Sequence, residues 1–266
     1  MTEEKDYTIV AVDRALLLLE ALADQPDQGV TSLAKSLGMT KSLVFRLLHT
    51  LEGRGFVSRD PERTEYSLGY RLGVLGERLG KDGALLHAAR PVMDALRDST
   101  SENVNLVLRE GLKTCVLATR AGRHSIRLFA QAGRYGPLHA GGSSQVLLAY
   151  AGPAIIESVL SQTLETFTAH TVTDPTRLMQ MLERIKTNGY NIVLNDLDDG
   201  AFSVAAPILG ADGEIIASIS VAGAVVRFDE ERRETYLKAV LEAAAEISER
   251  MSIHAPSEKN AAKSKA

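Results

Sequence analysis

The sequence predicts an α+β fold divided into two domains, and three observations carry that prediction. Residues 8–70 read as short helical stripes followed by a hairpin-like run. Residues 71–83 are a glycine-punctuated helical stretch suited to a linker. From residue 84 to 251 strand-like runs gather in the middle with helices at the ends, the pattern of one antiparallel sheet with packed helices. The remaining 252–266 is a polar tail, expected to be disordered.

The first helix is expected over 9–23, with an apolar face from Val12, Leu16, Leu19 and Leu22, and DQPDQG ends it. A second, 31–37, packs through Leu33, Ala34 and Leu37, and Gly38 suits a left-handed cap in a sharp turn. The third covers 40–53, with Thr40 as its N-cap. At 100° per residue, Leu43, Val44, Leu47, Leu48 and Leu51 fall in one stripe of about 140°. The opposite face carries Ser42, Phe45, Arg46 and His49, with Lys41 at the helix start. An aromatic ring, a guanidinium, an imidazole and a hydroxyl together suit base edges and phosphates rather than plain solvation. The free N–H groups of the helix start suit a phosphate. GFVSRD and EYSLG then form two short strands around PERT, placing Arg59 and Arg63 within reach of a sugar-phosphate backbone. Arg63 could equally be a solvated loop arginine, and His49 a surface histidine near a helix end. The order helix, turn, helix, hairpin is the build of a winged helix-turn-helix, which seats one helix in a DNA major groove.

Bulk composition agrees with a soluble globular chain: 45% apolar, 24% charged, formal net charge −4. The charge is unevenly spread. Between residues 35 and 71 seven Lys/Arg face four acids, a local excess of +3, so DNA contact is expected on one face and not as a broad polyelectrolyte grip. A single cysteine, Cys115, excludes a disulfide framework and a cysteine zinc cluster, and is expected to be a small buried residue in a strand. The acidic N-terminus lacks a basic region before its apolar part, and ALLLLEAL is too short to span a bilayer, so no membrane partner and a cytoplasmic location are expected.

In the second half a helix over 84–99 carries Pro91 in its middle, followed by strand-like runs VNLVLRE, TCVLATR and SIRLFAQ. A glycine-rich loop, AGRYGPLHAGGSS, leads into the helix QVLLAYA, and another helix starts near Pro153. Asp174 and Pro175 open a helix that Gly189 stops. The strands FSVAAPIL and EIIASISVAG flank Ala211, Asp212 and Gly213, a hairpin turn. The final helix runs from Asp229 to about Met251.

Three segments combine with the winged unit: GPLHAGGSSQVLLAY, NGYNIVLNDLDDGAFSVAAPI and DGEIIASISVAG. With them the chain resembles the IclR family of bacterial transcriptional regulators over roughly residues 8–250. The resemblance implies a GAF-like effector domain, with a small metabolite held between the sheet and the loop–helix after PLHA. It implies pairing through the DNA-binding domains and tetramers through the effector domains, hence a homodimer or homotetramer. Matched position by position, the implied effector contacts are Gly142, Ser143, Asp196, Ser203 and Ser218 or Ser220. Strand alternation puts Ser218 and Ser220 on one face, and hydroxyls with helix N-terminal amides would bind a carboxylate. The chain departs from the family wording at Ser203, where cysteine is common, at Gln145, a usual lysine position, and at Leu43, a common threonine. Ser218 and Ser220 could instead be the solvent face of an edge strand, and Asp196 part of a solvated acidic turn. His139 reads as a satisfied structural histidine, while Arg127 and Arg134 either neutralise an anionic effector or are loop surface.

The expected function is a ligand-responsive regulator, more specifically a repressor, of a catabolic operon, with double-stranded operator DNA and a small organic acid as partners. No cofactor or metal is called for. An enzyme is disfavoured, because Asp196, Ser203 and His139 lack triad spacing and there is no G-x-S-x-G, H-E-x-x-H or phosphate loop. A DNA-binding protein whose second domain only oligomerises is the remaining alternative.

Overall fold

The structure is a computed structural model and describes residues 7–76, 78, 80–124 and 131–254. The expected strand at 125–131, all but its last residue, lies outside the described residues, as do Arg127 and the tail from 255 onward. The chain divides into two compact units, 1–83 and 84–266.

In the first unit, α1 (Val10–Asp24), α2 (Val30–Ser36) and α3 (Lys41–Gly53) precede a two-stranded wing, β1 (Val57–Arg59) and β2 (Tyr66–Leu68). Their core joins Leu18, Leu22, Leu33, Val44, Leu48, Val57 and Tyr66. On α3 the buried residues are Val44 and Leu48, flanked by half-buried Leu43, Leu47 and Leu51. The face expected for α1 is corrected. Val12 and Leu16 are more than half exposed, and Leu18 joins Leu22 in the core. A helix containing four successive leucines offers several apolar stripes, and packing against α3 selects one. The turn between α2 and α3 depends on Gly38, whose φ of 61° is a left-handed conformation that side chains resist. A helix, α4 (Tyr70–Gly76), follows the wing.

Helix α5 (Lys81–Thr100), whose first three residues fall before the unit boundary, runs through Pro91. Next come β3 (Asn103–Glu110), β4 (Lys113–Arg120), β5 (Tyr135–Pro137), α6 (Gly142–Ala149), α7 (Pro153–Leu160) and α8 (Pro175–Asn188). The last elements are β6 (Asn191–Leu194), β7 (Ala201–Leu209), β8 (Ile215–Ala224), a short turn at Val225–Arg227 and α9 (Glu230–His254). All six strands pair antiparallel in the order β5-β4-β3-β8-β7-β6. Helices cover both faces: α5 and α9 bury one with Leu85, Met93, Phe202, Ile219 and Val240, and α6 to α8 bury the other with Val146, Leu147, Leu178 and Leu182.

Several boundaries differ from those the sequence suggests. The glycine-rich loop contains the edge strand β5, and α6 begins at Gly142, three residues before the expected start. The edge strand β6 is not among the strands named from the sequence. Both edge strands are short, so their conformation comes from the ladder of their neighbours. Residues 252–254 belong to α9 and not to a disordered tail. The caps of α8 match expectation: the Asp174 side chain accepts from Arg177 N, and Gly189 ends the helix in a left-handed conformation.

Candidate functional site

The first candidate surface is the outward face of α3 and the wing. Thr40 Oγ1 accepts a hydrogen bond from Leu43 N at 3.3 Å, which fixes the start of α3. Lys41, Ser42, Phe45, Arg46 and His49 are all exposed. Phe45, a 53% exposed aromatic, stacks on His49 with ring centroids 6.4 Å apart and planes within 7°. The pair lies on one face, because four residues bring a helix round by about one turn. Beside it, the turn of the wing is built on Asp60, whose Oδ1 accepts from Glu62 N and Arg63 N at 2.8 and 3.0 Å. Arg63 projects from that turn and is exposed. Arg59 is exposed as well, and its guanidinium lies 5.8 Å from the centre of the buried Tyr66 ring. The wing is tied down by Gln28 pairing with Tyr66 and by Ser67 Oγ donating to Asp27 Oδ1. All eight residues expected at DNA therefore lie on exposed surface or at the start of α3. The arrangement can present one helix and a basic hairpin to a duplex.

The second candidate is a cavity of about 310 Å³ in the second unit, on the α6 side of the sheet. Its wall includes Gly142, Ser143, Asp196, Ser203 and Ser220 of the expected contacts. Ser218 is not part of the wall; it is fully buried and its hydroxyl donates to Ala206 O at 3.2 Å. The reading of Ser218 and Ser220 as an edge-strand surface is also corrected, since β8 lies in the centre of the sheet and both are buried. Sequence reasoning missed Asn105, Thr114 and Ser144, which line the cavity too. The signal for Asn105 was available, as a polar residue inside the apolar run VNLVL.

Gly142 lets α6 approach the sheet: a Cβ at this position would sit 2.6 Å from Ser203 Oγ. That close approach brings α6 and β7 together at the cavity. Ser143 Oγ is shut off from solvent and has no hydrogen-bond partner. Ser203 and Ser220 also make no side-chain hydrogen bond among the described residues. An unmade bond like that of Ser143 is uncommon in a protein interior and costs stability. Ser203 and Ser220 thus offer hydroxyls from β7 and β8 to a guest in the cavity, while Ser143 Oγ lies behind the wall, out of reach of solvent.

Asp196 plays a different part. Asn195 adopts a left-handed conformation, φ 57°, and turns the chain after β6 so that the Asp196 carboxylate faces the start of α6. Its Oδ2 accepts from Gly141 N at 2.7 Å and Gln145 Nε2 at 2.8 Å. Gln145 Nε2 also donates to His139 O, and its Oε1 accepts from Asn191 Nδ2 at 2.7 Å. Thr171 Oγ1 donates to the Asp196 carbonyl, pinning the segment before α8 to the same turn. Burial pushes the Asp196 carboxyl above its ordinary value, against the opposing pull of the Gly141 amide, His139 and Gln145. The solvated-turn reading of Asp196 is therefore overturned, since it is 5% exposed. His139 is satisfied by the Glu165 carbonyl at 2.8 Å and packs against Phe167. Arg134 lies on the cavity wall near its exposed rim. Cys115 is half-buried in β4, and desolvation raises its thiol, which disfavours a reactive thiolate.

Among the described residues no group of three or more His, Cys, Asp or Glu could hold a metal ion, and no helix is long and apolar enough to cross a membrane.

A winged helix-turn-helix in one unit and a polar cavity on an antiparallel sheet in the other define a class, the DNA-binding regulators of transcription. Comparison with known proteins narrows it. Residues 11–61 match the IclR helix-turn-helix domain and residues 81–249 the bacterial transcriptional regulator IclR C-terminal domain. The chain belongs to the IclR family of transcriptional regulators, which are not enzymes. It is 34% identical to the HTH-type transcriptional regulator BhcR of Paracoccus denitrificans, over 90% of this chain and 86% of that one. It is 30% identical to KipR of Bacillus subtilis, over 94% and 98%. Among solved structures it is similar to an IclR homologue from Microbacterium hydrocarbonoxydans complexed with 4-hydroxybenzoate. That match has a TM-score of 0.71 and 25% identity, and covers 91% of this chain and 98% of the other.

Proposed function

We propose that this protein is a ligand-responsive repressor of a catabolic operon, acting in the cytoplasm, whose grip on operator DNA is set by a small organic acid in the second unit's cavity. The observation that carries the ligand reading is the Ser143 hydroxyl, buried on the cavity wall without a partner. A structural relative's complex with 4-hydroxybenzoate supports the same reading. Gly142, Ser143, Asp196, Ser203 and Ser220 are the effector-facing groups, with Ser218 held one step behind them. On the DNA side, Arg46 is the chief reader. Ser42, Phe45 and His49 flank it, the Thr40 and Lys41 helix start meets a phosphate, and Arg59 and Arg63 reach the backbone from the wing.

Repression follows from occupancy alone, since a protein seated on its operator occludes it, whereas activation needs a further favourable contact with the polymerase. A homodimer, or a homotetramer built from two, suits a pseudo-palindromic site. Exposed apolar side chains on α1 (Val12, Leu16, Leu17) and α4 (Tyr70, Val74, Leu75) support pairing of the first units. A near-complete switch requires the effector to prefer one arrangement by about 5.5 kcal/mol.

The test begins with selection of a binding site from random duplex DNA using the full chain, followed by mobility-shift titration. Arg46→Ala should weaken operator binding by about 1–3 kcal/mol. Unchanged binding by a folded variant removes Arg46 from the interface. Organic acids are then titrated against the complex. If none alters the shift or raises the thermal midpoint, the second unit is an oligomerisation module.

A further inference from the structure

We infer that Phe45 reads the 5-methyl group of a pyrimidine in the major groove, so that the protein tells thymine from uracil, and 5-methylcytosine from cytosine, at one position of each half-site. This deepens the reading of α3 as the DNA-facing helix and rests on it.

Helix α3 presents two rows of side chains outward, because residues four apart share a face. One row is Ser42, Arg46 and Thr50, and the other is Lys41, Phe45 and His49, all of them exposed. The Thr50 hydroxyl donates to Arg46 O at 2.8 Å, so its proton is spent within the helix, and Ser42 and Arg46 are the donors the first row offers. Phe45 differs from all its neighbours on this face. Its side chain has no polar atom, so it can recognise a partner only by apolar contact. The ring is 53% exposed, yet it is not loose, since it stacks on His49 with centroids 6.4 Å apart and planes within 7°. That spacing is usual for an offset aromatic pair. A side chain ordered before contact loses less freedom on binding.

Phe45 lies about one turn in from the Thr40 cap, and long helical side chains lean toward the helix start. In helix-turn-helix docking that start is the part of the recognition helix that meets base edges. The edges there carry donors and acceptors, which a phenyl ring cannot satisfy, and one apolar group, the 5-methyl of thymine. 5-Methylcytosine carries the same methyl at the same place. A duplex fits this face better than a second copy of the chain does. Lys41 and Arg46 flank the ring, so two such faces repel each other, whereas phosphates attract them.

The test uses the full chain and the duplex selected from random DNA. Each thymine of one half-site is replaced in turn by deoxyuridine, which deletes one methyl group and keeps the base pair. Mobility-shift titration should find one position where affinity falls about fourfold, the worth of one buried methyl. With cytosine at that position, 5-methylation should raise affinity by about the same factor. Phe45→Ala leaves the buried side of α3 untouched and should bind the thymine and uracil duplexes equally. Phe45→Leu should keep part of the difference. Arg46→Ala should weaken both duplexes alike and preserve it.

If no thymine methyl affects wild-type binding, the inference is overturned. That includes the case in which Phe45→Ala still weakens binding, where the ring acts as a wedge between base steps and not as a methyl reader. A difference that survives Phe45→Ala also overturns it, and its loss in His49→Ala would then make the imidazole the reader. In each case a loss of affinity in Arg46→Ala leaves α3 standing as the reading helix. If neither Arg46→Ala nor Phe45→Ala alters binding, α3 is not at the DNA, and the underlying reading falls together with the inference.

Discussion

Ser143 holds a hydroxyl that meets neither solvent nor a protein partner. A buried polar group left unsatisfied costs stability, and replacing it by a methyl group removes that cost. Ser143→Ala should therefore leave the ligand-free protein as stable as the wild type or more stable by up to about 1 kcal/mol. The same change should diminish the thermal shift produced by a bound acid. A loss of ligand-free stability in chemical denaturation would mean that the hydroxyl has a structural role instead. Asp196 makes a prediction of opposite character. Burial raises its carboxyl in the folded state, so the native protein retains a proton at pH values where the unfolded chain has lost it. Its contribution to stability is full below the unfolded value of about 3.9 and is lost as pH rises through the raised native value. Asp196→Asn keeps an acceptor for Gly141 N and has no such slope. Urea midpoints followed upward from pH 3.5 should fall for the wild type relative to the variant, then run parallel. Parallel curves throughout would show that Asp196 titrates normally.

At the scale of elements, the placement of α6 depends on the absence of one side chain. A Cβ on Gly142 would press to 2.6 Å from Ser203 Oγ and 3.0 Å from its Cβ, so Gly142→Ala must either turn the Ser203 hydroxyl aside or push α6 away from β7. The expected cost is about 1–3 kcal/mol, typical of overpacking in a tight interior. Adding Ser203→Gly should recover part of the stability, as thermal melts of the single and double variants would show. Absence of recovery would locate the strain elsewhere. Helix α3 is simpler. Its cap, apolar stripe and exposed face are all local, which is why its reading from the sequence and its conformation agree. Helix α1 is the counter-example: its run of leucines left the buried face ambiguous, and Leu18, not Leu16, enters the core.

For the molecule as a whole, each unit has its own core, and the second is closed by a contact between distant parts of the chain. Glu102, at the entry to β3, is 2% exposed and accepts from Arg227 Nε and Nη2 at 2.7 and 2.6 Å. Those residues lie 125 positions apart. Arg227→Ala strands a buried carboxylate and should cost about 3 kcal/mol, near the lower end for a broken buried pair because the guanidinium is 21% exposed. Glu102→Gln in the same background should return part of that loss. A stability change within error for Arg227→Ala would mean that water replaces the guanidinium freely.

The sequence by itself determined what depends on neighbours along the chain. The Thr40 cap and α3 stripe, the Asp174 cap and Gly189 stop of α8, and the turn at Asp212 and Gly213 are set by backbone preferences and helical period over a few residues. It also disclosed the wing, because its two strands are joined by a short turn. Tertiary structure decided everything that depends on a partner far along the chain. Strands β5 and β6 exist because β4 and β7 pair with them. Only the packed sheet separates Ser220 at the cavity from Ser218 behind it, since alternation alone puts both on one face. Asp196 and Gln145, 51 positions apart, meet only when the turn after β6 is folded against α6. The physical reason is range: local preferences act over a turn or a pleat, while a site assembled from a helix start and the sheet strands it packs on is defined only once the core has closed.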